Sequence, residues 1–278
     1  MDKIDLHTHT IYSDGTCTPE EVVCLAAKAN LSAVAITDHD TIGGVKRAKA
    51  AGIGKQIEVI SGVEFTGEYK GSTIHILGYL FNENSDIITS AVKNLIILRK
   101  ARNIELIHSL ASFGVPVSEL EMGKHAPLES LGRTHFALFL TEHGFAVNFD
   151  DAFRKFLRPG AKTYVPFKAS AAEDVINVIA KAGGVAVLAH ATLYGFNREK
   201  IEKTVRNLKV MGLAGFECFY PSYKKEDETF LLHLSDKYNL FATGGSDFHG
   251  KNREKNTLGC VGTDRRFLEL MREYQKAK

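Results

Sequence analysis

Nine His, Asp and Glu residues fall where a chain of alternating strands and helices would leave them, at strand ends. His7 and His9 stand in Asp5-Leu6-His7-Thr8-His9, and Asp14 follows in Ser13-Asp14-Gly15. His39 lies in Thr37-Asp38-His39-Asp40, and Glu64 and His75 sit in two further apolar stretches. His190 follows Val185-Ala186-Val187-Leu188-Ala189, and Asp247 and His249 complete the set in Gly245-Ser246-Asp247-Phe248-His249. In extended chain the rings of His7 and His9 leave the same face. Mixed imidazole and carboxylate donors suit zinc, manganese or iron. One His-x-His pair is a weak sign of metal; the further donors at equivalent topological positions predict a polynuclear site. Grouped divalent ions lower the pKa of bound water and neutralise phosphoryl oxygens during in-line displacement, which is what phosphoester hydrolysis requires.

The elements that must position these donors are read from hydrophobic periodicity. Strands are predicted at 3–6, 33–36, 57–65, 73–79, 185–189, 215–219 and 240–243. Thr18-Pro19-Glu20-Glu21 reads as a helix start, with Thr18 as N-cap, Pro19 at the first helical position and Glu21 completing a capping box. A second helix is expected from Thr41 to Ala51, and others begin at Ala171, Arg198 and Lys224. Between Asp86 and Lys162 only helical periodicity is found. This strand–helix rhythm predicts an α/β fold with a parallel sheet closed or nearly closed into a distorted seven-stranded (β/α)7 barrel. Residues 1–85 and 163–278 would form the barrel, and 86–162 a helical insertion covering the active site. Parallel α/β barrels assemble their sites at the carboxyl ends of the strands, where the nine donors converge.

Bulk properties exclude several classes. With 278 residues, 44% of them hydrophobic, the chain can bury one large core. A net charge of +2 is too small for wholesale coating of nucleic acid, so no stable nucleic-acid complex is expected, while a small anionic substrate is compatible. Cys17, Cys24, Cys218 and Cys260 form no C-x-x-C pair, which favours a reducing, cytoplasmic setting. No apolar run reaches membrane-spanning length, and no signal peptide is expected.

Asp5-Leu6-His7-Thr8-His9-Thr10, Ser13-Asp14-Gly15, Ile36-Thr37-Asp38-His39-Asp40 and Gly245-Ser246-Asp247-Phe248-His249 together resemble the motifs of the PHP (polymerase and histidinol phosphatase) family over nearly the whole chain. The resemblance is to the subgroup containing nucleoside 3′,5′-bisphosphate phosphatases and 5′-to-3′ exoribonucleases. It implies a metal-dependent phosphoesterase with two or three divalent ions, manganese favoured over zinc or iron. By that resemblance His7, His9, Glu64 and Asp247 hold one ion, Asp14, His39 and His249 a second, and Glu64, His75 and His190 a third. Asp14, His39, Glu64, His190 and Asp247 are the expected catalytic group. Ser13 and Cys17 lie nearby without an obvious base partner, so a covalent nucleophile is not expected.

The insertion adds cations. Arg99, Arg102 and Asn103 share one face of a helix, and Gly132-Arg133-Thr134-His135 pairs a cation with a glycine helix start, where free N–H groups favour anions. A solvated basic face is the ordinary fate of such residues. Two basic motifs together suit a second phosphate, for which the arginine fork is the better partner. The matching motifs of the resembling subgroup contact a substrate phosphate, its usual form being Gly-Arg-Pro-His where Thr134 stands here. The leading expectation is removal of the 3′-phosphate from a nucleoside 3′,5′-bisphosphate. Alternatives are 5′-to-3′ hydrolysis of short RNA, a histidinol-phosphate phosphatase, and a non-catalytic metal-binding regulatory module. The partner is thus a small phosphorylated substrate, a nucleotide or short RNA, and the oligomeric state is left open. Phe216 and Tyr220, near a strand end, are candidates to stack on a base, with core packing at least an equal reading for Phe216, while His108, His125, His143 and His233 are assigned to packing or surface.

Overall fold

The computed structural model describes residues 2–277. Strand β1 (Lys3–Asp5) leads through a loop to helix α1 (Pro19–Lys28), then to β2 (Ala33–Ile36) and α2 (Val45–Ile53). The long β3 (Glu58–Tyr69) turns back as β4 (Ser72–Tyr79), which feeds α3 (Asp86–Ser112). Helices α4 (Glu119–Met122), α5 (Arg133–Glu142) and α6 (Phe149–Ala152) follow, the last running into a π-helical turn at Phe153–Leu157. The chain then alternates through β5 (Ser170–Ala171), α7 (Ala172–Lys181), β6 (Val185–Leu188), α8 (Arg198–Val210), β7 (Gly215–Phe219), α9 (Lys225–Tyr238) and β8 (Phe241–Gly244). It ends with β9 (Thr263–Asp264) and α10 (Arg265–Lys276).

Two compact units result. One comprises residues up to Val92 and from Ala169 onward; the other is Lys93–Lys168. The sequence places the boundaries at 86 and 162. The first boundary lies later because α3 runs unbroken for 27 residues and its first turns belong to the sheet unit. The helical unit has its own core, built from Leu106, Leu110, Met122, Leu131, Phe136, Phe139 and Leu140 among others.

In the sheet unit the apolar runs explain themselves. All four residues of β2 and of β6 are buried, as expected for strands covered on both faces. Ala33 and Ala35 point inward with Ile4, Leu6, Ile60, Leu77 and Val187. Val34 and Ile36 point outward against Val22, Val23 and Ala26 of α1. Helix α1 starts as its capping box requires: Glu21 N–H donates to Thr18 Oγ1 at 3.2 Å and Thr18 N–H donates to Glu21 Oε2 at 2.7 Å. Helix α2 begins at Val45, four residues later than Thr41, because Gly43-Gly44 breaks the expected first turn.

The sheet corrects the strand count and the all-parallel expectation. Among the described residues nine strands are joined in the order β8-β7-β6-β4-β3-β2-β1-β9, with β5 added beside β3. The additions, β5 and β9, have two residues each, too short to show any period. Strand β4 runs antiparallel to both β3 and β6. Its direction is set by the turn Lys70-Gly71, where both residues have positive φ (50° and 76°). That two-residue turn favours a tight hairpin, and a hairpin makes its strands antiparallel. The sheet nearly closes between β1 and the segment after β8, where Leu6 N–H reaches Gly244 O at 3.4 Å and His9 N–H reaches Phe248 O at 2.9 Å. Among the described residues no helix is long and apolar enough to cross a membrane.

Candidate active site

One rim of the sheet collects the nine donors. His7 and His9 follow β1, His39 follows β2, Glu64 lies inside β3, His190 follows β6, and Asp247 and His249 follow β8. His75 lies early in β4, on the same rim, because β4 runs the opposite way. Buried carboxylates tie the intervening loops. Asp5 accepts N–H bonds from His7 (3.2 Å), Ser246 (2.9 Å) and Gly259 (2.9 Å). Asp38 accepts from Thr10 N–H and from the Ser13 hydroxyl, each at 2.7 Å. Asp40, at φ 55°, accepts from Thr66 N–H at 2.7 Å. Gly245 must lack a side chain, since a Cβ there would lie 2.5 Å from His7.

Glu64 is wholly buried and central. Its Oε2 lies 3.1 Å from His7 Nε2, 3.2 Å from His9 Nε2 and 3.1 Å from His39 Nδ1. Its Oε1 lies 2.8 Å from His75 Nδ1 and 2.9 Å from His190 Nε2. Asp247 Oδ1 is 3.2 Å from His9 Nε2, and Asp14 Oδ1 is 3.2 Å from His249 Nε2. Three groups have donor atoms within 4.8 Å of one another: His7, His9, Glu64 and Asp247; His9, Asp14, His39 and His249; and His39, Glu64 and His75. The first contains the four residues expected together. In the second, His9 joins Asp14, His39 and His249. In the third, His39 stands with Glu64 and His75, while His190 approaches through the Glu64 oxygen that it shares with His75.

These donors fit divalent ions for a geometric reason. His9 Nε2, His39 Nδ1 and His249 Nε2 are buried without a hydrogen-bond partner, although each lies 3.1–3.2 Å from a carboxylate oxygen. Short N···O approaches that lack hydrogen-bond alignment are what the edges of a coordination shell would look like, with metal–ligand distances of about 2.0–2.2 Å. The opposite ring nitrogens are oriented for that purpose. His249 Nδ1–H donates to Asp247 O at 2.8 Å. His9 Nδ1–H donates to Ser13 Oγ at 3.3 Å, and Ser13 passes its own proton to Asp38. Ser13 therefore has a histidine partner that its sequence context did not reveal, but its hydroxyl orients His9 and is not an activated nucleophile.

Protonation follows from the same contacts. Burial opposes the charged form of His9, yet Asp247 and Glu64 outweigh it and hold its pKa up to about 9. His7 is likewise raised against burial by Glu217, Glu64 and Asp247. Burial pushes His39 and His249 down, toward neutral rings. In protein stripped of metal His9 carries imidazolium below about pH 9 and the pKa of His7 is raised as well, whereas metal ligation needs the neutral ring. Net proton release is therefore expected on metal uptake near pH 7.5, with affinity rising as pH rises. Calorimetry in two buffers of different ionisation enthalpy checks this; identical heats in both would refute it.

The expected phosphate-binding residues lie in the helical unit. Arg99 and Arg102 are buried, and the Arg99 guanidinium lies over the Phe167 ring, 5.3 Å from its centroid. Arg133, at the first turn of α5, is half-buried, and burial and the neighbouring Arg99 charge lower its pKa. His135 Nδ1 accepts the Gly132 N–H at 3.0 Å, so its neutral ring carries the proton on Nε2. Thr134 lies in the same turn. Asn103 is corrected: its amide N–H groups donate to Leu128 O (2.6 Å) and Leu131 O (2.9 Å). It fixes the loop that starts α5 and has no amide proton left for a phosphate.

Phe216 is fully buried, so it does not stack on a base. Tyr220 is buried too; its ring meets His190 edge-on and its hydroxyl donates to Asp247 Oδ2 at 2.6 Å. Arg253 also donates to Asp247 Oδ2, which turns Oδ1 toward the histidines. Sequence reasoning missed Arg253, Tyr194 and Glu217. Tyr194 accepts the His75 N–H at 2.8 Å and donates to Ala189 O at 2.8 Å. Glu217 carried a readable sign, being the one charged residue inside the apolar run Gly215–Phe219.

A family model described as the PHP domain matches residues 5–115. The chain is 33% identical to the 3′,5′-nucleoside bisphosphate phosphatase of Chromobacterium violaceum, over 93% of this chain and 91% of that one. It is 30% identical to a 5′-3′ exoribonuclease of Haemophilus influenzae, over 89% of this chain and 90% of that one. A crystal structure from Bifidobacterium adolescentis, titled as a metal-dependent phosphoesterase, superposes with a TM-score of 0.88 at 30% identity, covering 96% of this chain and 94% of that one. Likeness of this extent in both sequence and fold makes the chain a member of the PHP family, a metal-dependent phosphoesterase.

Proposed function

We propose that the protein removes the 3′-phosphate from nucleoside 3′,5′-bisphosphates, with the barrel rim as the hydrolytic centre and the helical unit's cations gripping the other phosphate. The carrying observation is the set of arginines held in the helical unit: Arg99 and Arg102 are buried in α3, and Arg133 is half-buried in the first turn of α5. Guanidinium groups partly removed from water are suited to a phosphate dianion. The 33% identity to a bisphosphate phosphatase supports the same substrate class.

His7, His9, Asp14, His39, Glu64, His75, His190, Asp247 and His249 would hold two or three divalent ions, manganese first among them. Bound there, such ions supply charge neutralisation and an acidified water. The protein's own part is positioning. Glu64 ties the groups together through its two oxygens, one facing His39 and the other His190, while Asp14 and Asp247 both face His9 and His249. Arg102, Arg133 and His135, with Arg99 and Thr134 beside them, would hold the non-reacting phosphate and orient the ester for in-line attack.

A second reading, 5′-to-3′ hydrolysis of short RNA, is favoured by the 30% identity to an exoribonuclease. The scissile bond is then a diester, and the 5′-phosphate is gripped in the same way. Protein reconstituted with manganese should be assayed on adenosine 3′,5′-bisphosphate, adenosine 3′-monophosphate, histidinol phosphate and a short 5′-phosphorylated RNA. The bisphosphate is expected to lead in kcat/KM by about 100-fold over the monophosphate, the scale of one well-made charged contact. A lead by the monophosphate or by histidinol phosphate would sink the proposal, and a lead by RNA would select the second reading.

A further inference from the structure

We infer that Glu217 is the positioning residue that makes the metal centre competent, by fixing the ring of His7 and the backbone of His190 with one carboxylate. Glu217 lies in the middle of β7, fully buried, between Phe216 and Cys218. Its Oε1 accepts the His7 Nδ1–H at 2.9 Å and its Oε2 accepts the His190 backbone N–H at 2.8 Å. Among the described residues it makes no ion pair with Lys or Arg; His7 is its sole charged partner. A carboxylate buried this way is costly unless positive charge answers it. The positive charge expected here is the one that His7 Nε2 faces on its other side, beside Glu64 and Asp247.

The two bonds do different work. The first fixes the proton of His7 on Nδ1, so that Nε2 presents its lone pair to the donor group of His9, Glu64 and Asp247. The second holds His190 at φ 25° and ψ 53°, a left-handed conformation that a β-carbon disfavours. In that conformation the His190 ring turns back to place Nε2 2.9 Å from Glu64 Oε1, on the opposite oxygen from His7. One carboxylate on β7 therefore sets ligands on both sides of Glu64. The inference rests on the metal-ligand reading of His7 and His190, and is independent of which phosphoester is the substrate.

Glutamine at this position cannot serve, for a reason of donor and acceptor count. Glu217 faces two N–H donors, and an amide has one oxygen. If the amide oxygen meets His190 N–H, the NH2 faces His7 Nδ1 and drives the ring proton to Nε2, the ligating nitrogen. If the oxygen meets His7 instead, the NH2 opposes the His190 N–H and the strained turn loses its anchor.

Glu217→Gln is expected to weaken manganese binding by about 10–100-fold, the usual loss when the partner of a metal-bound histidine is removed. The stripped variant should melt below wild type, because buried His7 and the His190 N–H lose a shared acceptor, and the rise in Tm on adding manganese should also shrink. A merely structural role predicts the same lower Tm in stripped protein but an undiminished rise with manganese. That pattern, or wild-type manganese affinity, would overturn the inference. Glu64→Gln serves as the control for the ligand reading itself. If it too binds manganese like wild type, the ligand reading has failed; if it alone loses metal, only the role of Glu217 has. Should Glu217→Gln not fold, wild-type protein decides the matter. In zinc-loaded, 15N-histidine-labelled enzyme, His7 must carry its proton on Nδ1, and a bare Nδ1 would refute the assignment.

Discussion

Glu64→Gln is expected to strip the protein of most of its bound metal and to lower kcat/KM on every phosphoester by on the order of 10³-fold or more, as happens when residues acting as a unit lose a member. Five imidazole nitrogens lie within 3.2 Å of the two Glu64 oxygens, and the carboxylate is wholly buried. Burial alone would raise its pKa, but His39, His7 and His75 hold it well below the ordinary glutamate range, so it is ionised throughout the neutral region. Glutamine keeps the volume and removes the charge. It also places an NH2 against histidine nitrogens that need an acceptor or a shared cation. The loss should therefore appear in metal content, measured by elemental analysis after dialysis, as well as in rate. His75→Ala is the graded comparison: His75 touches one oxygen and is partly exposed, so one group weakens and the others remain. A Glu64→Gln protein with full metal content and reduced rate would assign Glu64 to chemistry without ligation and would overturn the bridging role.

What the sequence made legible follows the physics of each element. The strands at β2 and β6 are short apolar runs buried on both faces, and α1 carries a complete capping box, so local pattern sufficed. The direction of β4 was not visible, because it depends on two positive-φ residues at Lys70-Gly71, and a lysine gives no warning of such a turn. Strands β5 and β9 exist through pairing with β3 and β1 and carry no period of their own. Within the site, His7, His9, His39, His190, Asp247 and His249 stand just after strands, as their places in the sequence suggested, whereas Glu64 lies inside the longer β3 and His75 early in β4. Residues that orient them were missed, because their role depends on partners far off in sequence. Glu217 meets His7 across 210 positions, and Tyr194 meets His75 across 119. Asn103 went the other way: its helical face was read correctly as shared with Arg99 and Arg102, but its amide closes onto Leu128 and Leu131.

Arg133→Ala is expected to lower kcat/KM on adenosine 3′,5′-bisphosphate by about 10²–10³-fold, the range for truncating one side of a buried, hydrogen-bonded charge pair. On adenosine 3′-monophosphate, which keeps the scissile bond and lacks the second phosphate, the rate should be nearly unchanged. The contrast between the two substrates is a double-mutant cycle, with the arginine and the phosphate as its two partners. It isolates their interaction from any general loss. Arg133 is suited to the role because it sits at the first turn of α5, where backbone N–H groups and the helix dipole favour an anion. Burial lowers its pKa, and a dianion beside it would favour the charged form. Arg133→Lys should recover part of the loss, since a lysine restores the charge without the planar fork. Metal content should match wild type in both variants, because no residue of the nine-donor set lies in the helical unit. Equal losses on both adenosine substrates, or a fall in bound metal, would show that Arg133 supports the fold and would remove the ground for a two-phosphate substrate.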